Sequence, residues 1–381
     1  MARIEPICQR GGRTLLRTPF ETPLDVVKSS RETSLMQTVQ LVSHAIGTLA
    51  LEQRPLPDEL PPGALLARAS MTAISAGTEI ANYLGRTTFR SAMTTTPYYP
   101  GYCFTGVVVA TGPGNNQFAV GDRISGPLPH AAYALEARPD VLTRLAHVPD
   151  TVTDRAAALT QLCCISLNAV RKATIELGDR VAIVGGGVVG LLATRFCVLS
   201  GAGRVVVLEP IERRRAAAIA CGAHLALDPA GAAANERLTE AAPAGFDAVI
   251  EATGDPGPVV TAMSLAAPGG RVVLLGSTRG LVEHFDPYGD IHLKGITVIG
   301  AHVTTHPETP TRKDRWSELA NREFVLDLMA SGLLDVESIV SHVITPEEAP
   351  ATYATLARER AAHIGVLIDW SDGRFTDPAR R

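Results

Sequence analysis

The run RVAIVGGGVVGLLATRF, residues 180–196, decides the fold. Val181 to Val184 is a short, uninterrupted apolar run, the pattern of a strand buried on both faces. It leads into Gly185-x-Gly187-x-x-Gly190 and then into a Leu- and Ala-rich helical stretch. The three glycines differ in what they do. Gly185 permits the tight turn, Gly187 lets a pyrophosphate approach bare backbone, and Gly190 lets the helix pack close to the strand. The helix start, at Val188 and Val189, offers unpaired N–H groups and a positive dipole end to phosphates.

Such a glycine pattern is weak alone, and its ordinary alternative is a tightened α/β turn that binds no nucleotide. Its surroundings strengthen it here. A second strand, RVVVLE, ends in Glu209, 19 residues after Gly190. An acid at that point accepts hydrogen bonds from the adenosine ribose and repels a 2′-phosphate, which points to NAD. Arg213, Arg214 and Arg215 follow, and a guanidinium there can accept a 2′-phosphate, so NADP stays open with Arg214 as its contact.

Working outward, short β-rich runs recur at 180–184, 204–209, 224–227, 246–251, 271–276 and 296–300, with Ala-rich helical stretches such as 188–200, 211–221 and 256–267 between them. Six strands with crossover helices predict a doubly wound, six-stranded parallel sheet of the Rossmann type, in an α/β protein. Residues 40 to about 135 read differently. They form strand–turn–strand units with many Gly and Pro turns, such as GYCFTGVVVATGPG. A helix is expected after Thr151 or Thr153, running without Gly or Pro to Gly178. The tail reads as helix 316–331, a short extended SHVIT, a helical PEEAPATYATLARER and a closing strand IGVLIDW. The expected division is an N-terminal extension at 1–37, a nucleotide-binding domain at 168–307, and a β-rich substrate domain assembled from 38–167 and 308–381.

The 381 residues suffice for two domains, and 46% apolar with 19% charged residues is the balance of a globular protein. A formal charge of −4 without a basic stripe argues against nucleic acid. None of the six cysteines forms a C-x-x-C pair, so neither a disulfide framework nor a zinc ribbon is legible. The N-terminus lacks the apolar core of a secretory signal, and the longest uncharged apolar stretch, Val181 to Thr194, is too short and Gly-rich to span a bilayer. The expected setting is the cytoplasm, with no membrane partner.

With these segments in this order, the chain resembles the medium-chain dehydrogenase/reductase superfamily, the alcohol dehydrogenase-like proteins. The matching segments are ISAGTE (74–79), PYYPGYCFTGVVVATG (97–112), VGDRISG (120–126), VAIVGGGVVGLLA (181–193), FDAVIEATG (246–254), PGGRVVLLGS (268–277) and KGITVIGAH (294–302). The resemblance runs from about residue 40 to the end. ISAGTE and SHVITPEEA look most like a branch that includes bacteriochlorophyllide-type hydroxyethyl dehydrogenases. The resemblance implies a GroES-like substrate domain, a nicotinamide cofactor contacted further by Thr253, Gly276 and Cys164, and a homodimer paired through the last Rossmann strand, Ile296 to Gly300. The edge of a sheet is a ready pairing surface.

The departures concern metal. Zinc-dependent members place a Cys where this chain has Ala76, a His and Glu where it has Tyr102 and Cys103, and a third ligand where it has Thr160. Alanine cannot ligate zinc, and tyrosine and threonine rarely do. The four-cysteine lobe is also missing after Gly121. The expectation is a zinc-lacking member, a rebuilt site from Cys103, Glu79 and His130 being the alternative.

Without a Lewis acid, hydrogen-bond donors must stabilise the developing oxyanion. Tyr102 is the first candidate, as donor or, with a lowered pKa, as base. Thr78 matches the family hydroxyl that relays the proton. Glu79 matches an acid behind the metal and would orient Tyr102 or Tyr83. Each also has a plainer role: Tyr102 as filler, Thr78 and Glu79 as turn residues, Tyr83 in packing, His130, His302 and His306 in loops, Cys163 and Cys164 as small core hydrophobes. The expected activity is zinc-independent NAD(P)-linked hydride transfer between nicotinamide and a secondary alcohol/ketone of a small biosynthetic intermediate. The rival is reduction of an activated C=C or C=N bond. A different class is a non-catalytic redox sensor, or a redox-neutral enzyme that holds NAD tightly.

Overall fold

A computed structural model describes residues 36–86, 97–307, 316–361 and 363–375. The expected N-terminal extension lies outside these residues apart from its last two positions. The described residues belong to the unit Leu35–Arg381.

The front half folds as β1 (Gln37–Val42), β2 (Ala50–Pro55), β3 (Leu65–Ala73), α1 (Thr78–Tyr83), β4 (Phe104–Thr111), β5 (Arg123–Gly126), β6 (Tyr133–Glu136), α2 (Pro139–Leu142) and β7 (Ala146–His147). Two helices follow, α3 (Asp154–Ala157) and α4 (Thr160–Ala173). The nucleotide half runs β8 (Arg180–Val184), α5 (Val188–Leu199), β9 (Arg204–Leu208), α6 (Glu212–Ala220), β10 (Leu225–Leu227), α7 (Ala234–Ala241), β11 (Phe246–Glu251), α8 (Gly257–Leu265), β12 (Ala266–Leu274) and β13 (Thr297–Gly300). The return comprises α9 (Glu318–Ala330), β14 (Val340–Ile344), α10 (Ala349–Arg358) and β15 (Gly365–Asp369).

The second sheet is the expected doubly wound one. Its order is β10-β9-β8-β11-β12-β13, every pairing parallel. Its central strands β8 and β9 are apolar after their first residue because both faces are covered. Along β8, Val181 and Ile183 point into one core while Ala182 and Val184 point into another, and β9 alternates in the same way. The first sheet is ordered β14-β15-β3-β4-β5-β7, with β6 also on β3. It is antiparallel except between β14 and β15. The two closing strands thus return to the front sheet, as read from the sequence. β1 and β2 form a separate hairpin.

Two local expectations change. The single helix after Asp150 is two: Thr153 caps α3 by accepting from the Ala156 amide at 3.1 Å, and a break precedes α4. The Ala157 carbonyl at that break accepts two hydroxyls, Thr160 Oγ1 at 2.7 Å and Ser125 Oγ at 3.1 Å. Strand β12 also starts at Ala266, where it pairs with Phe246 before an irregularity in register. Its Pro268-Gly269-Gly270 turn chemistry is absorbed inside the strand, which local pattern cannot anticipate. One apolar core joins Ala73 and Cys103 of the front half, α4, one face of the parallel sheet and Val325, Leu326 and Met329 of α9. Helix α4 is therefore the shared wall between the halves.

Candidate active site

The cofactor half of the site is built on the glycine turn. Gly185 has φ +102°, a conformation that favours glycine, and a Cβ on Gly190 would lie 1.9 Å from the Gly185 carbonyl oxygen. Around Gly187 there is open space, the room a pyrophosphate requires. Helix α5 starts at Gly187 with no side chain capping it, so the N–H groups at Val188 and Val189 keep their capacity for phosphate. Glu209, nearly sealed from solvent, closes over this turn. Its Oε2 accepts from the Gly186 amide at 2.7 Å and its Oε1 from the Ile211 amide at 2.9 Å. These residues fit a dinucleotide.

The arginines after Glu209 are largely engaged. Arg214 donates to the backbone carbonyls of Arg360 and His363, and its Nη1 stands 3.9 Å from Glu209. Burial lowers its pKa, with Glu209 opposing. Arg215 donates to the Glu209 and Pro210 carbonyls at 2.9 and 2.6 Å.

Thr253 and Gly276 meet beside the same turn. A Cβ on Gly185 would lie 2.8 Å from Thr253 Cγ2, and the Gly276 amide donates to the Glu251 carbonyl at 2.8 Å. Sequence reasoning missed the group between them. Glu251 is fully buried, its Oε1 accepts from the Thr253 amide at 2.7 Å and from the Thr253 hydroxyl, and its Oε2 has no partner among the described residues. Burial raises this carboxyl above the ordinary range, while Thr253 and Gly254 donors pull it down. The signal for it was the acid ending an otherwise apolar strand, as in RVVVLE. A groove lined by Gly276, Ser277, Ala301 and His302 continues from here along the C-terminal ends of β12 and β13.

The chemical half sits on α1 and the Gly101–Tyr102 segment. Gly101 has φ +107°, and a Cβ there would lie 2.3 Å from the His130 amide nitrogen, so only glycine lets the two segments close. Tyr102 is half-buried and donates its hydroxyl to Ser75 Oγ, with Thr78 as a second hydrogen-bond neighbour. Loss of water around it raises the phenol pKa, Cys103 and Glu79 add to this, and the bonds to Ser75 and Thr78 oppose it. A lowered pKa, one of the sequence expectations for Tyr102, is thus corrected: the group is tuned to stay protonated. Ser75 was not singled out in the sequence. Its place inside ISAGTE was the available signal.

Glu79 does not bond directly to Tyr102 or Tyr83. Fully buried, it accepts from the Ser75 amide at 2.8 Å, lies 3.0 Å from His130 Nε2 and accepts from the Tyr353 hydroxyl. It orients the Ser75 turn, and through it Tyr102. Tyr83 packs edge-to-face on Tyr353 at 6.0 Å. His130 lies in a loop, as expected, but is wholly buried, with Nδ1 unpartnered among the described residues. His302 bonds within its own turn, and His306 lies 2.9 Å from Asn168.

At the former ligand positions, Ala76 has no donor atom, Tyr102 is held by Ser75, and Thr160 is turned onto the Ala157 carbonyl. Burial pushes the Cys103 thiol well up, and Cys164, also buried, to about 11. Among the described residues no group of three or more His, Cys, Asp and Glu is placed to hold a metal ion. The residues present do not fit a catalytic zinc.

Comparison with known proteins agrees with this architecture. Residues 188–321 match a family model described as zinc-binding dehydrogenase. The D-guloside 3-dehydrogenase of Escherichia coli (strain K12) is 24% identical over 249 residues, 65% of this chain and 70% of that protein. A structure from Sinorhizobium meliloti 1021, described as a zinc-binding dehydrogenase bound to NADP, superposes with a TM-score of 0.72 at 24% identity, covering 88% of this chain and 99% of that one. The 2R,3R-butanediol dehydrogenase from Bacillus subtilis gives a TM-score of 0.73 at 22% identity, over 87% and 99%. Over residues 188–321 the chain is similar to the zinc-binding dehydrogenase family, and it shares its fold with these solved dehydrogenase structures. Among the described residues no helix is long and apolar enough to cross a membrane.

Proposed function

We propose that the chain is a nicotinamide-dependent oxidoreductase, NAD-preferring, that interconverts a secondary alcohol and its ketone without a catalytic zinc. The observation that carries this reading is the Tyr102 hydroxyl, bonded to Ser75, at one of the positions where zinc-dependent members would have a ligand, in a chain with an open glycine turn. The names of two relatives, a D-guloside 3-dehydrogenase and a 2R,3R-butanediol dehydrogenase, denote secondary alcohols. Glu209, with Arg214 and Arg215 already engaged, favours NAD over NADP.

The bound nicotinamide supplies the hydride chemistry. This chain's part is to hold the reacting oxygen and its proton. Tyr102 stays neutral, turns its O–H from Ser75 to the substrate oxygen and donates as negative charge develops there. Ser75 Oγ can pass its hydroxyl proton to the phenol oxygen while taking one from water, so that the proton gained by the substrate oxygen comes in net from solvent, and Glu79 holds the Ser75 turn in place.

The test is a secondary-alcohol and ketone panel with NADH and NADPH, run on protein dialysed against a chelator, with Tyr102→Phe alongside. Turnover should survive metal removal and favour NADH. Tyr102→Phe should lower kcat by roughly 10²–10³, the cost of one oxyanion donor, with cofactor KM nearly unchanged. Activity restored only by zinc, or an unaffected Tyr102→Phe, overturns the reading. Turnover confined to activated C=C or C=N substrates replaces its substrate class.

A further inference from the structure

His130 is wholly buried in the loop between β5 and β6, and it is tied to both segments that carry the Tyr102–Ser75 hydroxyl pair. Its amide donates to the Pro100 carbonyl at 3.0 Å, two residues before Tyr102. Its Nε2 stands 3.0 Å from Glu79 Oε2, while Oε1 of the same carboxylate accepts from the Ser75 amide at 2.8 Å. One residue thus grips the Tyr102 segment with its backbone and the Ser75 turn with its ring. The contact is close: a Cβ on Gly101 would lie 2.8 and 2.9 Å from His130 Cγ and Cδ2. The His130 carbonyl is fixed as well, accepting from the Leu41 amide at 3.0 Å.

A carboxylate oxygen only accepts, so His130 donates through Nε2, and the Tyr353 hydroxyl donates to that same Oε2. The Glu79 carboxylate therefore gathers donors from three parts of the chain: Ser75 four residues before it, His130 51 residues on and Tyr353 274 residues on. Tyr83, packed edge-to-face on the Tyr353 ring, steadies the last of these. Charge-assisted bonds of this kind are short and directional, and out of solvent they hold one geometry. His130 and Tyr353 act at a distance from the Tyr102 hydroxyl, whose bond is to Ser75. What they fix is the approach of the two segments whose hydroxyls meet.

We infer that His130, with Tyr353 on the same carboxylate, is a positioning residue that sets the Tyr102 segment against the Ser75 turn and so aims the phenol O–H. This rests on the reading of Tyr102 as the donor to the substrate oxygen, and it adds the residues that direct that donor. An oxyanion donor works only within hydrogen-bond reach of the place where charge develops, and a misplacement of about 1 Å can cost about 10² in rate. When the His130 bond is removed, the Pro100–Tyr102 segment loses its side-chain tie to the Ser75 turn, and the phenol loses its fixed direction. The glycine turn that holds the cofactor lies in the other half of the fold and keeps its geometry.

The experiment follows Tyr102 by NMR and by turnover. Protein with tyrosine isotope-labelled at Cζ gives a resonance for each ring, Tyr102→Phe identifies that of Tyr102, and its shift reports the phenol hydrogen bond. His130→Leu should move this resonance. With the secondary alcohol best turned over in the panel above, it should also lower kcat about tenfold, the worth of a hydrogen bond to a charged group, with the KM for cofactor unchanged. His130→Gln, which keeps a donor near the Nε2 position, should bring both readouts back toward the parent. In a Tyr102→Phe background His130→Leu should cost nothing further in kcat, because no donor is left to aim. Because His130→Leu can fail to fold, Tyr353→Phe is the second variant: it removes only a hydroxyl from the same carboxylate and should move the same resonance and lower kcat by a similar factor. A Tyr102 resonance unmoved in either variant, or kcat losses that multiply with Tyr102→Phe, overturns the inference and leaves the oxidoreductase reading standing. A kcat that Tyr102→Phe leaves intact sinks the reading of Tyr102 as donor instead, while the resonance still decides whether His130 directs the phenol.

Discussion

Glu251 concentrates at one residue the tension between burial and cofactor binding. It is sealed from solvent with one carboxylate oxygen unpartnered among the described residues, and a Cβ on Gly276 would lie 2.6 Å from that oxygen. Its pKa is raised in the folded protein, so the carboxyl binds a proton more readily folded than unfolded. Its favourable contribution is present below the ordinary glutamate pKa and is lost as pH rises through the folded value. Glu251→Gln should therefore gain stability relative to the unmodified protein across that window, with no gain at more acidic pH. Denaturant melts at a series of pH values read this directly. A constant difference across pH would remove Glu251 as the source.

At the scale of the element, the β8–α5 turn separates two uses of glycine that its motif merges. Gly190 is required by packing, since its Cβ would meet the Gly185 carbonyl at 1.9 Å, and Gly187 meets nothing within 4 Å. Gly190→Ala should push α5 off β8, costing about 1–3 kcal/mol as overpacked cores do, and should weaken cofactor binding with it. Gly187→Ala should leave the melting temperature within a degree or two of the parent, because a helix-cap substitution of this kind carries only a small cost, yet weaken NADH about tenfold or more by filling the phosphate's place. Thermal melts paired with NADH titration separate the two. Equal loss of stability in both variants would contradict the division.

For the whole molecule, the open question is what covers the edge of the parallel sheet. Strand β13 is terminal in the sheet order, and the segment before it leaves Leu281, Tyr288 and Leu293 more than half exposed, at 65%, 61% and 65%. An exposed strand edge flanked by apolar side chains favours association. A symmetric homodimer through β13 is the expected assembly, since a two-fold axis would continue the sheet across two copies. Light scattering at micromolar concentration should give twice the 40.2 kDa chain mass. Leu293→Lys should shift the population toward monomer, and a monodisperse monomer of the unmodified chain would refute the pairing.

The parallel sheet was legible in the sequence because its central strands are covered on both faces and so read as unbroken apolar runs, such as Val181–Val184 and Val205–Leu208. The glycine turn and Glu209 were legible because a tight turn and an acid at a strand end leave marks within a few residues. Tertiary structure alone decided the rest. That Ser75, not Glu79, accepts the Tyr102 hydrogen bond depends on a turn closing against a segment 27 residues away, and Tyr353 reaches Glu79 from 274 residues further on. Arg322 reads in sequence as one more charge on a helix, and only the packing of α9 on α4 removes its water and sets it beside Gln161. Local pattern records which face of an element is apolar. It does not record which distant polar groups that face will enclose, and the charge and hydrogen-bonding state of a site depend on that enclosure.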